Sequence, residues 1–289
     1  MAPPIFPCIW MNPEQFSGQE AALKYKEAFG DVKTLSDNGM VVMVEILGKQ
    51  LMFLNGGPMF TPNPSISFFV VLTSKESVDQ AWKVLRENGK VLMPLDKYEW
   101  SEYYGWVQDA LGVSWQLSYG KLEEVGQTLS PTLMFTGAGA GQAREALTLY
   151  ASIFQPSEVV GILPYGPGEE DKEGLVKHAM IRLNHYVLMF MDSSHSHGFG
   201  FDEGISLVVA CDTQEEIDQY WEALTINGGQ ESQCGWLKDR FGVSWQIVPR
   251  VLFEMMNHPD TQRRQRVVDA FMPMKKFNIE VLEKAFEAQ

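Results

Sequence analysis

The chain repeats itself. Gly105 to Gln116 reads GWVQDALGVSWQ and Gly235 to Gln246 reads GWLKDRFGVSWQ, identical at eight of twelve positions 130 residues apart. Ile66 to Gly89 and Ile205 to Gly228 share ten of 24 positions at a separation of 139. Glu20, Ala21, Tyr25 and Phe29 match Glu145, Ala146, Tyr150 and Phe154 at a separation of 125. The blocks keep their order, so the changing offsets mark insertions. The second half gains residues around Tyr165 to Gly174, and the first has the longer loop from Lys90 to Tyr104. Collinear self-similarity of this kind means a tandem duplication, here of a unit of about 120 residues. Whatever the fold is, it is built twice.

Inside the first unit the hydrophobic pattern alternates between strand and helix periods. Phe6 to Met11 is a short apolar run, and Gln19 to Phe29 places Ala22, Tyr25 and Phe29 on one helical face. Met40 to Leu47 and Gln50 to Leu54 read as a hairpin split by Gly48-Lys49, and Asn55-Gly56-Gly57-Pro58 stops its second strand. Ile66 to Leu72 is a strand. Ser74 caps a helix carrying Val78, Trp82 and Leu85 that ends at Asn88-Gly89, and three short strands follow near Val91, Trp106 and Trp115. With a weak strand after Phe29 the order is β-α-β-β-β twice, so the whole chain holds four such modules. Local hairpins with interspersed helices make this an α+β fold, not a doubly wound α/β sheet. The expected division is 1–120 for the first domain, 121–129 for a linker, 130–250 for the second domain and 251–289 for a helical C-terminal extension.

Acidic residues outnumber basic ones, 37 to 23, giving a net charge of −14. Such a surface repels phosphate backbones, which argues against nucleic acid and anionic membrane as partners. Cys8, Cys211 and Cys234 lie far apart with no paired spacing, and the opening Met-Ala-Pro-Pro-Ile-Phe lacks the pattern of a signal peptide. A cytoplasmic protein with reduced thiols is the expectation.

The blocks LNGGP at Leu54 to Pro58, ISFFV at Ile66 to Val70 and the twice-occurring GW-x-x-D-x-x-GVSWQ resemble the PhnB-like family. That family is also labelled demethylubiquinone-methyltransferase-like and belongs to the vicinal oxygen chelate (glyoxalase/bleomycin-resistance) superfamily. The resemblance covers residues 5 to 119 and 129 to 250. It implies tandem glyoxalase/bleomycin-resistance-type domains, each of two βαβββ modules curled into an open β cup with the ligand on the concave side. Since such proteins usually carry one unit per chain and pair as dimers, this chain is expected to be an intramolecular pseudo-dimer. Its helical tail implies either packing on its own domain or further self-association.

Metal-dependent relatives hold a divalent ion with His and Glu from the first, fourth, fifth and last strands of a unit. Here the first strands, Phe6 to Met11 and Pro131 to Phe135, hold neither, with Cys8 the only soft donor. The fourth strands end in Asn55 and Asp192, the fifth strands lack His, and the last strands carry Gln116 and Gln246. A neutral amide oxygen is a weak ligand for a hard cation. No cofactor is therefore expected, and Asn55, Gln116, Asp192 and Gln246 become candidate polar contacts, with Trp106 and Trp236 as candidate walls. The alternative is a divalent metal held by His185, Asp192, His195 and His197, set against the reading of 193–200 as a solvated loop.

Gly137, Gly139 and Gly141 suggest a nucleotide or S-adenosylmethionine loop, but the aligned segment of the first half has no such glycines. A true methyltransferase is not expected. Asp109 and Asp239, three positions before Gly112 and Gly242, read as turn residues before they read as acids. The functional expectation is a protein or metal-independent enzyme that binds a small polar molecule. The alternatives are a divalent-metal lyase, isomerase or dioxygenase, and a drug-sequestering protein.

Overall fold

The computed structural model describes residues 4–288. Four βαβββ modules follow one another. The first is β1 (Ile5–Met11), α1 (Gly18–Phe29), β2 (Val32–Asp37), β3 (Val41–Ile46) and β4 (Lys49–Asn55). The second is β5 (Ile66–Leu72), α2 (Lys75–Leu85), β6 (Lys90–Tyr98), β7 (Ser101–Gln108) and β8 (Ser114–Tyr119). After the short α3 (Leu122–Val125), the third runs through β9 (Leu129–Phe135), α4 (Ala143–Ile153), β10 (Ser157–Pro164), β11 (Val176–Leu183) and β12 (Tyr186–Asp192). The fourth is β13 (Ile205–Cys211), α5 (Gln214–Thr225), β14 (Gln230–Glu231), β15 (Trp236–Lys238) and β16 (Ser244–Pro249). Helices α6 (Arg250–Met256), α7 (Thr261–Phe271) and α8 (Ile279–Glu287) form the tail.

Local chemistry explains the boundaries. Ser17 and Glu20 form a capping box on α1, Ser74 accepts from Ser77 N–H at the start of α2, and Thr213 accepts from Glu216 N–H on α5. The tight turn between β3 and β4 holds Leu47 and Gly48 at positive φ, as two-residue hairpins require.

The α+β class and the tandem modules are as expected. The sharing of sheets departs from the expected one cup per half. One eight-stranded sheet has the order β14-β15-β16-β13-β1-β4-β3-β2, the other β10-β11-β12-β9-β5-β8-β7-β6. Each therefore joins one module from each half. The first sheet, here cup A, is closed by antiparallel β1 and β13 with Cys8 opposite Ser206; the second, cup B, by β5 and β9 with Ser67 opposite Thr132. The physical reason lies in the connection: nine residues from Gly120 to Thr128 carry the chain from β8 past β5 to its far side, so neighbours in sequence remain neighbours in space. The exchange removes the bare edges that β1, β5, β9 and β13 would otherwise expose.

What binds the two sheets is a buried carboxylate used twice. Asp109 accepts from Tyr25 Oη at 2.9 Å, Trp115 Nε1 at 2.9 Å, and the backbone N–H groups of Leu111 and Val113. Tyr25 lies on α1, against cup A, whereas Trp115 belongs to β8 of cup B. Asp239 repeats the arrangement with Tyr150, Trp245, Phe241 and Val243, now with the sheets interchanged. The rings of Tyr25 and Trp115 meet at 4.8 Å and those of Tyr150 and Trp245 at 5.1 Å, all fully buried. The two aspartates are thus neither simple turn residues nor acids open to substrate. They organise the core.

Burial pushes the Asp109 carboxyl up to about 6, against the pull of its hydrogen-bond donors, and raises Asp239 for the same reason. The folded state holds the Asp109 proton more tightly than the unfolded chain, so this group's contribution is greatest below pH 4 and declines as pH rises through about 6. Asp109→Ala strands four buried donors and is expected to cost about 3 kcal/mol or more near pH 5. Urea unfolding of both proteins should show that gap narrowing between pH 4 and pH 7; a gap that widens over that range would contradict this account.

Candidate functional site

Each cup has a polar floor at its centre, where the two modules meet. In cup A the floor comprises Cys8 of β1, Met52 of β4, Ser206 of β13 and Gln246 of β16, with Cys8 opposite both Met52 and Ser206. Gln246 Nε2 donates to Ser206 Oγ at 2.9 Å. Cup B repeats the set as Thr132, Met189, Ser67 and Gln116, and Gln116 Nε2 donates to Ser67 Oγ at 2.8 Å. Neither set contains a charged ligand.

The residues do not fit a hard divalent cation, which needs charged oxygen donors. Cup A offers a thioether, a hydroxyl, an amide and a thiol whose burial pushes it up to about 12. The alternative histidine set does not assemble either. His185 occupies the β11–β12 turn at φ +69°, His195 Nε2 lies 3.0 Å from Glu170 O, and His197 Nε2 lies 2.9 Å from Ser193 Oγ. Among the described residues no three His, Cys, Asp or Glu side chains are grouped to hold a metal ion.

Asn55 and Asp192 occupy equivalent strand ends and do equivalent work on backbone. Asn55 Oδ1 accepts from Gly18 N–H at 2.8 Å at the start of α1, and its Nδ2 donates to Gly39 O at 2.7 Å. Asp192 accepts from Gly141 and Ala143 N–H at 2.8 and 3.2 Å, and from Val176 N–H at 2.9 Å. The glycine-rich segment at 137–141 is therefore pinned to Asp192. Asn55 borders cup A, but its amide is already committed.

Above the two floors the cups differ. Cup B is filled by its own side chains: Tyr104, Trp106 and Met134 are buried in it, packed against Phe69, Tyr98 and Phe199. Tyr104 Oη donates to Gln116 Oε1 at 2.7 Å, and Trp106 Nε1 donates to Ser114 Oγ at 2.7 Å. In cup A the corresponding residues are Cys234, Trp236, Trp10, Val208 for Phe69, and Ser244 for Ser114. A phenol and a phenyl ring have become a thiol and an isopropyl group. The result is a cavity of about 600 Å³, with Gln246 and Ser244 among its polar groups. The Trp106–Ser114 bond has no counterpart here. Ser244 Oγ is buried without a partner, and among the described residues nothing accepts from the Trp236 indole.

The cavity wall is mainly apolar, including Trp10, Met43, Met52, Trp236, Phe253 and Phe271. The expected polar cup is thus an apolar one with a small polar floor. Its two charged wall residues, Lys238 and Glu203, pair with each other at 3.0 Å. Gly56 allows the Trp10 ring to fold over the rim, since a Cβ there would lie 2.3 Å from the indole. Trp10 Nε1 then donates to Gly57 O at 2.8 Å. The tail covers the other side: Cys234 and Gly235 N–H donate to Met274 O and Lys275 O at 2.7 Å each. Phe277 packs so closely that only glycine fits at 235.

The family model of 3-demethylubiquinone-9 3-methyltransferase matches residues 5–118 and again 127–248. The chain belongs to that family. The PhnB protein of Bacillus cereus is similar at 38% identity over 43% of this chain and 99% of its own, with a TM-score of 0.39. Glyoxalase I from Zea mays covers 88% of this chain and 96% of its own, with a TM-score of 0.58 and 12% identity, a likeness of fold. No curated protein matches the chain. Membership of this family agrees with the resemblance carried by the GVSWQ blocks.

Sequence spacing pointed to Gln116, Gln246, Trp106 and Trp236 but passed over Trp10, Met52, Cys234 and Ser244. The signal was available in the repeat itself, where Tyr104 aligns with Cys234 and Phe69 with Val208. Because Ser114 has a donor and Ser244 has none, the two equivalent alanine substitutions should differ. Ser114→Ala is expected to cost about 1–2 kcal/mol in chemical denaturation, and Ser244→Ala to be neutral or mildly stabilising. Equal losses would contradict the assignment of an open cup A and a filled cup B.

Proposed function

We propose that this chain binds a small, neutral, chiefly apolar molecule in cup A, and that cup B is a retired copy of the same site. The observation that carries this reading is the contrast between two cups of one ancestry: one holds a cavity, and the other is occupied by Tyr104, Trp106 and Met134. A mainly apolar pocket with a few convergent polar groups is the usual form of a small-molecule site. The Lys238–Glu203 pair leaves no uncompensated charge in the wall, which favours a neutral ligand. Any chemistry performed there would use hydrogen-bonding groups, since the floor's donors suit no hard cation.

The methyl transfer that the family is named for would require a methyl donor in addition to an acceptor. The glycine-rich loop at 137–141 has its Gly141 N–H, with that of Ala143, on Asp192 and its Gly139 N–H on Thr136 O, which speaks against a nucleotide-bound donor at that place. Three free cysteines suit a reducing compartment, and no helix among the described residues is long and apolar enough to cross a membrane.

The site can be tested without knowing the ligand. In protein labelled with ¹⁵N-tryptophan, toluene is expected to move the indole resonances of Trp10 and Trp236 in a saturable manner. Those of Trp106, Trp115 and Trp245 should stay in place. A shift centred on Trp106, or no saturable shift at all, would overturn the proposal.

A further inference from the structure

We propose that the ligand of cup A is a phenol: a neutral aromatic ring whose hydroxyl takes the place that the Tyr104 hydroxyl takes in cup B. This rests on cup A being a binding site, and it adds the chemical class of what is bound.

Cup B shows what the shared framework holds when filled. The Tyr104 ring lies 6.5 Å from Phe69, 5.7 Å from Tyr98 and 6.3 Å from Trp100, and its hydroxyl closes on Gln116 Oε1 at 2.7 Å. The Gln116 amide is oriented by its other bond, from Nε2 to Ser67 Oγ. Gln246 keeps that bond, to Ser206 Oγ, so its carbonyl is presented in the same sense. The tyrosine that would meet it is missing. Cys234 stands in its place with φ at +55°, its N–H drawn to Met274 O and its thiol 3.8 Å from Met272 O on the tail. Cys8 also contacts Gln246, in a sense that lowers the thiol pKa, so the sulfur meets the amide N–H side and leaves the carbonyl available.

A second observation is independent of the first. Ser244 is fully buried, and its Oγ has no partner at the edge of the cavity. The equivalent Ser114 is satisfied by the Trp106 indole. A buried hydroxyl left alone is costly, so a hydrogen-bonding ligand atom is its natural complement. One ligand hydroxyl can serve both places, donating to Gln246 Oε1 while accepting from Ser244 O–H or Trp236 N–H. A phenol is neutral at physiological pH, as the compensated wall requires. The aromatic and methionine walls suit its faces and edge, and about 600 Å³ leaves room for ring substituents.

The test uses 4-methylphenol, the tyrosine side chain as a free molecule. It is compared with toluene, which lacks the hydroxyl, and with 4-methylanisole, whose oxygen cannot donate. Each is titrated into the full-length protein while the Trp10 and Trp236 indole resonances are followed. The expected result is binding of 4-methylphenol roughly tenfold tighter than either analogue, about what one net hydrogen bond provides. Gln246→Leu should bring 4-methylphenol and toluene to within about twofold of each other. Equal affinities for 4-methylphenol and toluene in the unsubstituted protein would overturn the phenol while leaving the apolar site standing. So would equal affinities for 4-methylphenol and 4-methylanisole, or a preference that survives in Gln246→Leu. If none of the three molecules shifts either indole, the binding site itself is refuted, and the phenol falls with it.

Discussion

Asp109 and Asp239 are buried carboxylates that tie modules of the two sheets together. Each gathers a tyrosine hydroxyl from one module and a tryptophan indole from another, together with two backbone N–H groups, in a place closed to water. An isolated buried charge would be prohibitive, but one met by four donors is tolerated and fixes the geometry of everything that supplies them. That accounts for the sequence between the two glycines and the final Trp-Gln in each half. The aspartate must return to meet a tryptophan six residues later, and the turn between them must aim two N–H groups inward. It also accounts for the matched tyrosines on α1 and α4, which lie far from the motif in the chain. These contacts join cup A to cup B within each half, while β1–β13 and β5–β9 join the halves within each sheet. The two kinds of connection cross, so no module can shift without disturbing both sheets.

A framework so interlocked leaves the concave faces free to diverge. Both floors keep a glutamine donating to a serine, so the frame itself has changed little since duplication. The differences lie one layer above, where the positions of two aromatic rings in cup B, Phe69 and Tyr104, are taken in cup A by Val208 and Cys234. Filling one cup with internal side chains buries apolar surface and stabilises the fold. Leaving the other open forfeits some of that burial and makes sense where a ligand restores it. The tail belongs to the same division. Met274, Lys275 and Phe277 dock on the segment 234–235 that replaces the Tyr104 region, so the extension is found over the open cup.

Much of this was legible in the residues. The duplicated blocks announced four modules, and Gln116 and Gln246 stood out as candidate polar contacts; that Trp115 beside Gln116 turns to the core is seen only in the structure. The pairing of modules across the halves was hidden for a physical reason: strands such as β13, ISLVVAC, are buried along their whole length, and a continuous apolar run does not reveal its neighbour. Asn55 and Asp192 looked like ligand contacts because a strand-end amide or carboxylate has the same appearance whether it meets a substrate or a helix N-terminus. Only the positions of Gly18 and of Gly141 and Ala143 decide that they meet backbone. The histidines at 195 and 197 illustrate the opposite limit, since close spacing in a glycine-rich loop carries no convergence.

Cup A keeps apolar space where cup B, of common descent, holds Tyr104, Trp106 and Met134. Xenon-pressurised crystals test this difference most directly, because xenon settles in apolar cavities without needing any chemical group to hold it. Anomalous density is expected in cup A, between Met52 and the rings of Trp10 and Trp236, and none over Gln116 in cup B. Equal density in both cups, or density in cup B alone, would contradict it.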